Sequence, residues 1–514
     1  MGLRQRLLSQ SSVIFGARLF GAGVIFLAQA AIARFWGANV LGEYLLIIAT
    51  VNIVAVVMPL GFETIGTYFA AEYRSKGEGR LLRGFILRAY GHVAATALLL
   101  LVAGYPLAVL FGEPGKVLTA HWLPACLMAL ATAVVYCNSA LLVGLKRPFA
   151  GFFADTIFRP LLIVLCFAIA AMGGDAAAKF AELIWLLAIG FAVIAAAQFA
   201  WVLRAVRQVP DAAAVERVDL RRWWRFALPW VVIALATDFF FDIDLLILSN
   251  FLDRESLAIF GVCTRVFSLV AFGVSAVYAV TLPDMFERNA AADRDGFMKQ
   301  IGEANLVAGA ISVGLFAVVA VTGPLLLMLF GPEFEAGALP MAVLCLTLCV
   351  RSLFGPAALV LSIHDRPYAT LPAIGLGMSV LVGANMLLVP AYGLMGAAIA
   401  ALAAQTVWSA AMWLTARQMA GIDVSIGPKL HELLARWRVK DVWLSAPAVS
   451  PGAVSSAPVG PCPCPSRNPR CAWCRISPSP RSPGRRSAGA AMRPARSRSG
   501  GAGRGRPRFP AAPR

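Results

Sequence analysis

The chain has 514 residues, 59% of them hydrophobic and only 14% charged, whereas a soluble globular protein is roughly 45–50% apolar and about 25% charged. That composition excludes a soluble enzyme. The formal net charge of +18 would suit a nucleic-acid partner, but most of it lies beyond Lys440, where thirteen Arg and no Lys face the single acid Asp441; the body is mildly basic and no nucleic acid is expected.

At the N-terminus, Arg4 and Arg6 precede an apolar run that predicts a helix over 11–33. Ala28-Gln29-Ala30 resembles a signal-peptidase site, but Arg18 inside the run and the eleven runs that follow point to an uncleaved first span. The further runs lie at 44–67, 89–111, 119–143, 149–172, 181–203, 226–250, 257–283, 301–330, 338–363, 369–390 and 393–416. A helix rises 1.5 Å per residue, so about 20 apolar residues cross a hydrocarbon core roughly 30 Å thick. The expected fold class is an all-α polytopic membrane protein with about twelve transmembrane helices. Pro59 with Gly61, Pro160, Pro229 and Pro356 interrupt spans and mark bends or hinges.

Lys and Arg alternate between the two sides. With the N-terminus inside, the inner segments up to Lys440 hold 24 of them and the outer loops four, namely Arg34, Lys116, Lys179 and Arg254. Cytoplasmic loops retain positive charge, so a multi-pass protein of the cell inner membrane with both termini cytoplasmic is expected.

The two halves also resemble each other. Ala33-Arg-Phe-Trp-Gly-Ala-Asn-Val-Leu-Gly-Glu-Tyr44 aligns with Ser249-Asn-Phe-Leu-Asp-Arg-Glu-Ser-Leu-Ala-Ile-Phe260 at an offset of 216. Leu110-Phe-Gly112 aligns with Leu329-Phe-Gly331, and Lys146-Arg-Pro-Phe-Ala150 with Asp365-Arg-Pro-Tyr-Ala369, both at 219. Six spans per repeat give both halves one topology. The expected organisation is an N-terminal lobe over 1–220, a C-terminal lobe over 221–418, a central cavity between them, and a cytoplasmic basic segment over 419–440. Residues 441–514, rich in Pro, Arg, Ser, Ala and Gly, cannot bury a core and are expected to be disordered. Arg without Lys is also what a GC-rich gene gives when read out of frame, so a frameshifted end is expected. Cys462-x-Cys464 and Cys471-x-x-Cys474 lack flanking strand or helix signals, and no zinc site is assigned. The other six cysteines fall in apolar runs and act as small hydrophobes.

Charged residues inside spans carry the functional signal, because each costs at least ~2.5–3.5 kcal/mol at the bilayer centre and must face protein or water. Arg159, Arg265 and Arg351 lie about 14–20 Å from the nearest span end, and Arg18 about 10 Å from the inner face. Cations at similar depth suit one anionic ligand, and the planar guanidinium fork suits phosphate or pyrophosphate. Each Arg is alternatively a tie between helices, most plainly Arg159, one turn after Asp155. Span seven carries Asp238 and Asp242 one turn apart and Asp244 on roughly the opposite face; these are candidates for coupling H⁺ or Na⁺, or for pairing with a buried Arg. Asn52, Glu63, Gln198, Asn385 and Gln405 are further intramembrane polar positions. No Gly-x-x-x-x-Gly-Lys-Ser/Thr motif supplies an ATPase. No long acidic outer loop supplies a glycosyltransferase or polymerase site, and neither an enzyme activity nor a cofactor beyond a coupling ion is expected.

Ala17-Arg18-Leu-Phe-Gly21, Ala33-Arg34-Phe-Trp-Gly37, Gly42-Glu-Tyr44, Ala71-Glu-Tyr-Arg74, Leu329-Phe-Gly-Pro-Glu-Phe334 and Gly393-Leu-Met-Gly-Ala-Ala398 resemble the polysaccharide flippase family. These are the Wzx-type O-antigen and exopolysaccharide translocases of the multidrug/oligosaccharidyl-lipid/polysaccharide exporter superfamily. The resemblance covers residues 5–418. It implies two six-helix lobes around a cationic cavity that moves a polyprenyl-pyrophosphate-linked oligosaccharide from the cytoplasmic to the periplasmic leaflet. It also implies the lipid bilayer, a polysaccharide polymerase and chain-length proteins as partners. A drug/cation antiporter and a lipid II flippase of the same superfamily are the alternatives.

Overall fold

In hydrocarbon every backbone N–H and C=O must be satisfied within the chain, and the computed structural model does this with helices throughout. It describes residues 3–172, 176–211, 220–291, 293–364 and 366–431. The 441–514 tail with its two cysteine pairs, and residues 432–440 of the basic segment, lie outside them.

The first half consists of α1 (Leu3–Trp36), α2 (Ala38–Val57), α3 (Phe62–Lys76), α4 (Gly79–Leu99), α5 (Tyr105–Val109), α6 (Gly112–Ala120), α7 (Trp122–Gly144), α8 (Pro148–Phe153), α9 (Arg159–Ala170) and α10 (Ala176–Val206). π-Helical turns, Leu100–Gly104 and Ala154–Phe158, join α4 to α5 and α8 to α9. The second half consists of α11 (Leu220–Asp238), α12 (Phe240–Leu248), α13 (Arg254–Ala290), α14 (Arg294–Met328), α15 (Ala338–Phe354), α16 (Ala357–Ile363) and α17 (Leu371–Met419).

Among the described residues, ten helices are long and apolar enough to cross a membrane. Two details bring the number to twelve. The segment Tyr368–Met419 is interrupted at Gly393 (φ 53°, ψ −130°); Gly396 lies against the carbonyl of Leu388 and Gly377 against Trp408, so the chain doubles back and supplies two spans. Span seven is split, with Phe239 (φ −119°, ψ 21°) between α11 and α12.

The internal repeat is visible in equivalent hydrogen bonds. Arg147, between spans four and five, donates to Gln208 Oε1 at the end of span six (2.6 Å). Arg366, between spans ten and eleven, donates to the Met419 carbonyl at the end of span twelve (3.0 Å).

At the end opposite the basic loops the two halves close on each other crosswise. Arg34 Nε donates to the Leu329 carbonyl (3.0 Å), and its Nη2 to that of Met328. Asn250, its repeat partner, lies against Gly112, the glycine that the repeat aligns with Gly331. Arg254 pairs with Glu43. Gly42 has no side chain to keep α2 off the Arg254 backbone, where a Cβ would collide with the carbonyl. Below these contacts α2 packs along α13 and α12.

At the basic end the first turns of α11 enter an aromatic cluster of Phe62, Phe69, Phe85 and Trp223. Trp223 Nε1 donates to the Tyr73 hydroxyl (2.7 Å), and Arg222 meets Glu72 at 3.0 Å. The chain after span twelve then folds back. Val424 is wholly buried and its carbonyl accepts from Asn305 Nδ2, while Ile426 N donates to Leu353 O (3.0 Å). Gly355 (φ 74°) is needed there because a Cβ would strike the Val424 carbonyl.

Candidate functional site

Two cavities lie side by side in the interior. One, of about 480 Å³, is lined by Arg18, Glu63, Tyr136, Asp155 and Asp238 among others. The second, of about 400 Å³, is lined by Tyr278, Arg351, Ser352, Gln405 and Trp408 among others. The adjoining residues Thr237 and Asp238 of α11, and Ala271 and Phe272 of α13, face one cavity each, so these two helices form the shared wall.

The four arginines differ in what they meet. Arg159 is engaged: Nη1 donates to Asp155 Oδ1 (2.6 Å), Nη2 to Thr132 Oγ1 (3.2 Å), and the guanidinium lies over the Phe191 ring at 4.2 Å. Arg265 is 3.7 Å from Asp242, whose other oxygen accepts from Asn52 Nδ2 (3.2 Å), and its Nε has no hydrogen-bond partner among the described residues. Arg18 is exposed to the first cavity and lies over the Phe152 ring at 5.0 Å. Arg351, in the last turn of α15, where a cation complements the helix dipole, is open to the second cavity and forms no ion pair among the described residues. Among the described residues, no acid lines that cavity.

The three aspartates also separate. Spacing by one turn brings Asp238 and Asp242 together only on an unbroken helix, and span seven breaks at Phe239. Asp238 opens on the first cavity with Arg18, whereas Asp242 belongs to the Asn52–Arg265 knot. Asp244 is fully buried; its Oδ1 accepts from Asn385 Nδ2 (2.7 Å), while its Oδ2 and Asn385 Oδ1 have no partner among the described residues. Two acceptor oxygens remain there with no donor between them.

Among the described residues, the first cavity therefore sets three carboxylates against one Arg, and the second holds one Arg and no carboxylate. Sequence reasoning singled out all four arginines and all three aspartates but did not single out Tyr136 and Tyr278. A tyrosine inside an apolar run carries no sequence signal that it faces a cavity.

No family model matches the sequence, and no curated protein matches it. Solved structures do. An inward-facing multidrug resistance MATE family transporter of the MOP superfamily superposes with a TM-score of 0.66 at 14% identity, over 79% of this chain and 97% of that one. The lipid II flippase MurJ in an inward closed conformation gives 0.64 at 12% identity, over 79% and 87%. The chain has the fold of these transporters. An outward-facing MATE family transporter gives 0.55 at 14% identity, over 79% and 94%.

Proposed function

We propose that this membrane protein is a flippase of the MOP superfamily that moves a lipid-pyrophosphate-linked oligosaccharide across the inner membrane by alternating access, for cell-surface or exocellular polysaccharide synthesis. In this reading lobes 1–220 and 221–418 rock about the cavities, with both termini in the cytoplasm. Arg351 carries the proposal: an Arg open to a deep cavity with no acid among its described lining residues is a site for an anion, and its fork matches phosphate oxygens. Arg18 in the adjoining cavity would meet the same head group, with Arg265 as a reserve cation released from Asp242. Asp244 with Asn385 is where a coupling H⁺ or Na⁺ would neutralise a buried carboxyl.

The carboxylates of the first cavity favour a second reading, a drug/cation antiporter. Arg351→Ala separates the two. Removing hydrogen bonds to a charged group costs ~1.5–3 kcal/mol, about a tenfold to hundredfold loss of affinity. Flippase activity predicts reduced polysaccharide export and a lipid-linked precursor held in the cytoplasmic leaflet. Arg351→Lys, which keeps the charge and loses the fork, is expected to fall between Ala and wild type. Normal export by stably inserted Arg351→Ala protein would refute the anion site.

A further inference from the structure

A third cavity, of about 570 Å³, lies at the seam of the two halves, toward the end opposite the basic loops. Its walls come from α2, the outer part of span three and α7 on one side and α12 on the other, with Val54, Leu107, Phe111, Trp122, Ala125 and Ile247 among them. Among the described residues, no charged side chain lines it. The Thr50 hydroxyl donates to the Leu46 carbonyl (2.8 Å), and the Asn250 amide to the Leu246 carbonyl (3.2 Å).

The helix geometry explains why the slot is open. Just before its π-helical turn, span three touches the end of α2, where Thr96 Oγ1 donates to the Met58 carbonyl (3.0 Å). Farther along, the π-helical turn Leu100–Gly104 adds a residue to the turn and redirects the helix. Gly104 is pressed onto Trp122, to which a Cβ would come within 2.7 Å, and Tyr105 packs edge-on against the same ring (5.8 Å). Span three therefore leans on α7 and stands away from α2 and α12.

Water has little to hold it in such a space, since a buried water needs two to four polar partners. Apolar cavities of only about 150 Å³ already stay dry and take up benzene. The mouth is rimmed by Leu107 and Phe111, 54% and 67% exposed, and adjoins the exposed Leu98, Leu99 and Val102. This is surface that meets hydrocarbon.

We propose that the slot seats one acyl chain of a phospholipid from the adjoining leaflet. The depth fits a chain from one leaflet: Asn250 to Ile243 is seven helical residues, about 10 Å, within the roughly 15 Å half-thickness of the core. The lining fits a chain without a charged group. Because α2 and α12 belong to different halves, the seated chain fills a seam that widens when that end opens. This inference does not rest on the transported substrate.

The full chain would be reconstituted in vesicles of phosphatidylethanolamine and phosphatidylglycerol containing a phosphatidylethanolamine with a diazirine in one acyl chain, then irradiated and mapped by peptide. Labelling at 118–129 is expected to exceed severalfold that at Val321 and Leu387, which are 79% and 76% exposed and line none of the three cavities. Ala125→Trp, and separately Ala129→Leu, should reduce labelling at 118–129 to the level of those controls. Equal labelling of slot and controls in the wild type, a comparison that needs no variant to fold, would overturn the assignment. So would displacement of the phospholipid label by a polyprenyl phosphate, which would give the slot to an isoprenoid tail.

Discussion

Arg34→Ala tests whether the crosswise contacts hold one end of the protein shut. The two carbonyls that receive the Arg34 guanidinium end α14, where helix carbonyls lack intrahelical partners and carry partial negative charge. Hydrogen bonds to a charged group are worth ~1.5–3 kcal/mol when shielded, but Arg34 is exposed and water competes, so about 1 kcal/mol is the reasonable figure. The Arg254–Glu43 pair, with side chains 45% and 21% exposed, adds ~0.2–1 kcal/mol. Arg34→Ala with Glu43→Gln should therefore shift the balance between closed and open forms by about 1–2 kcal/mol, a factor of roughly 5–30. An open state near 1% of the population, within the usual 0.1–10% range of minor states, would become readily detectable. Spin labels at Asn39 and Glu335, introduced without other reactive cysteines, would report the opening as a new long-distance component. Distance distributions unchanged by the double variant would refute the latch.

Asp244→Asn should abolish the dependence of transport on a Na⁺ or pH gradient, whereas Asp238→Asn should leave that dependence in place; gradient-driven uptake in vesicles checks both. Ending the chain at Lys440 should leave insertion and transport intact, but ending it at Met419 removes the buried Ile422 and Val424. Each fully buried side chain of this kind contributes ~1.5–3 kcal/mol, so the shorter protein should unfold at markedly lower temperature in detergent. Glu72 is half-buried, which opposes its ionisation, but hydrogen bonds and charge from Lys76 and Arg222 outweigh this and hold its carboxyl below the usual 4.5. A lowered folded value means that the Glu72–Arg222 contact stabilises above that pH and is lost as the pH falls through the folded value. Glu72→Gln should flatten the acid limb of a stability-against-pH curve, and an unchanged limb would remove Glu72 from that role.

The sequence by itself determined the helices, their number and the repeat. Apolarity over about 20 residues is a local sum, and the Arg147 and Arg366 motifs carry the same polar signature at a fixed offset. Even the doubling back near Gly393 was legible, because one apolar run ends at Pro390 and the next begins at Gly393. The break at Phe239 was not: no Pro or Gly marks it, and it follows from α11 packing on the α3 aromatic cluster while α12 packs on α2. The same holds for the arginines. Arg159 and Arg351 look equivalent in sequence, each an Arg inside a span, yet Arg159 meets Thr132, Phe191 and Asp155 while Arg351 meets an open cavity. Only Asp155 lies within one helical turn. Whether a buried cation is bound or available depends on which helices meet it, and those neighbours come from parts of the chain that only tertiary packing brings together.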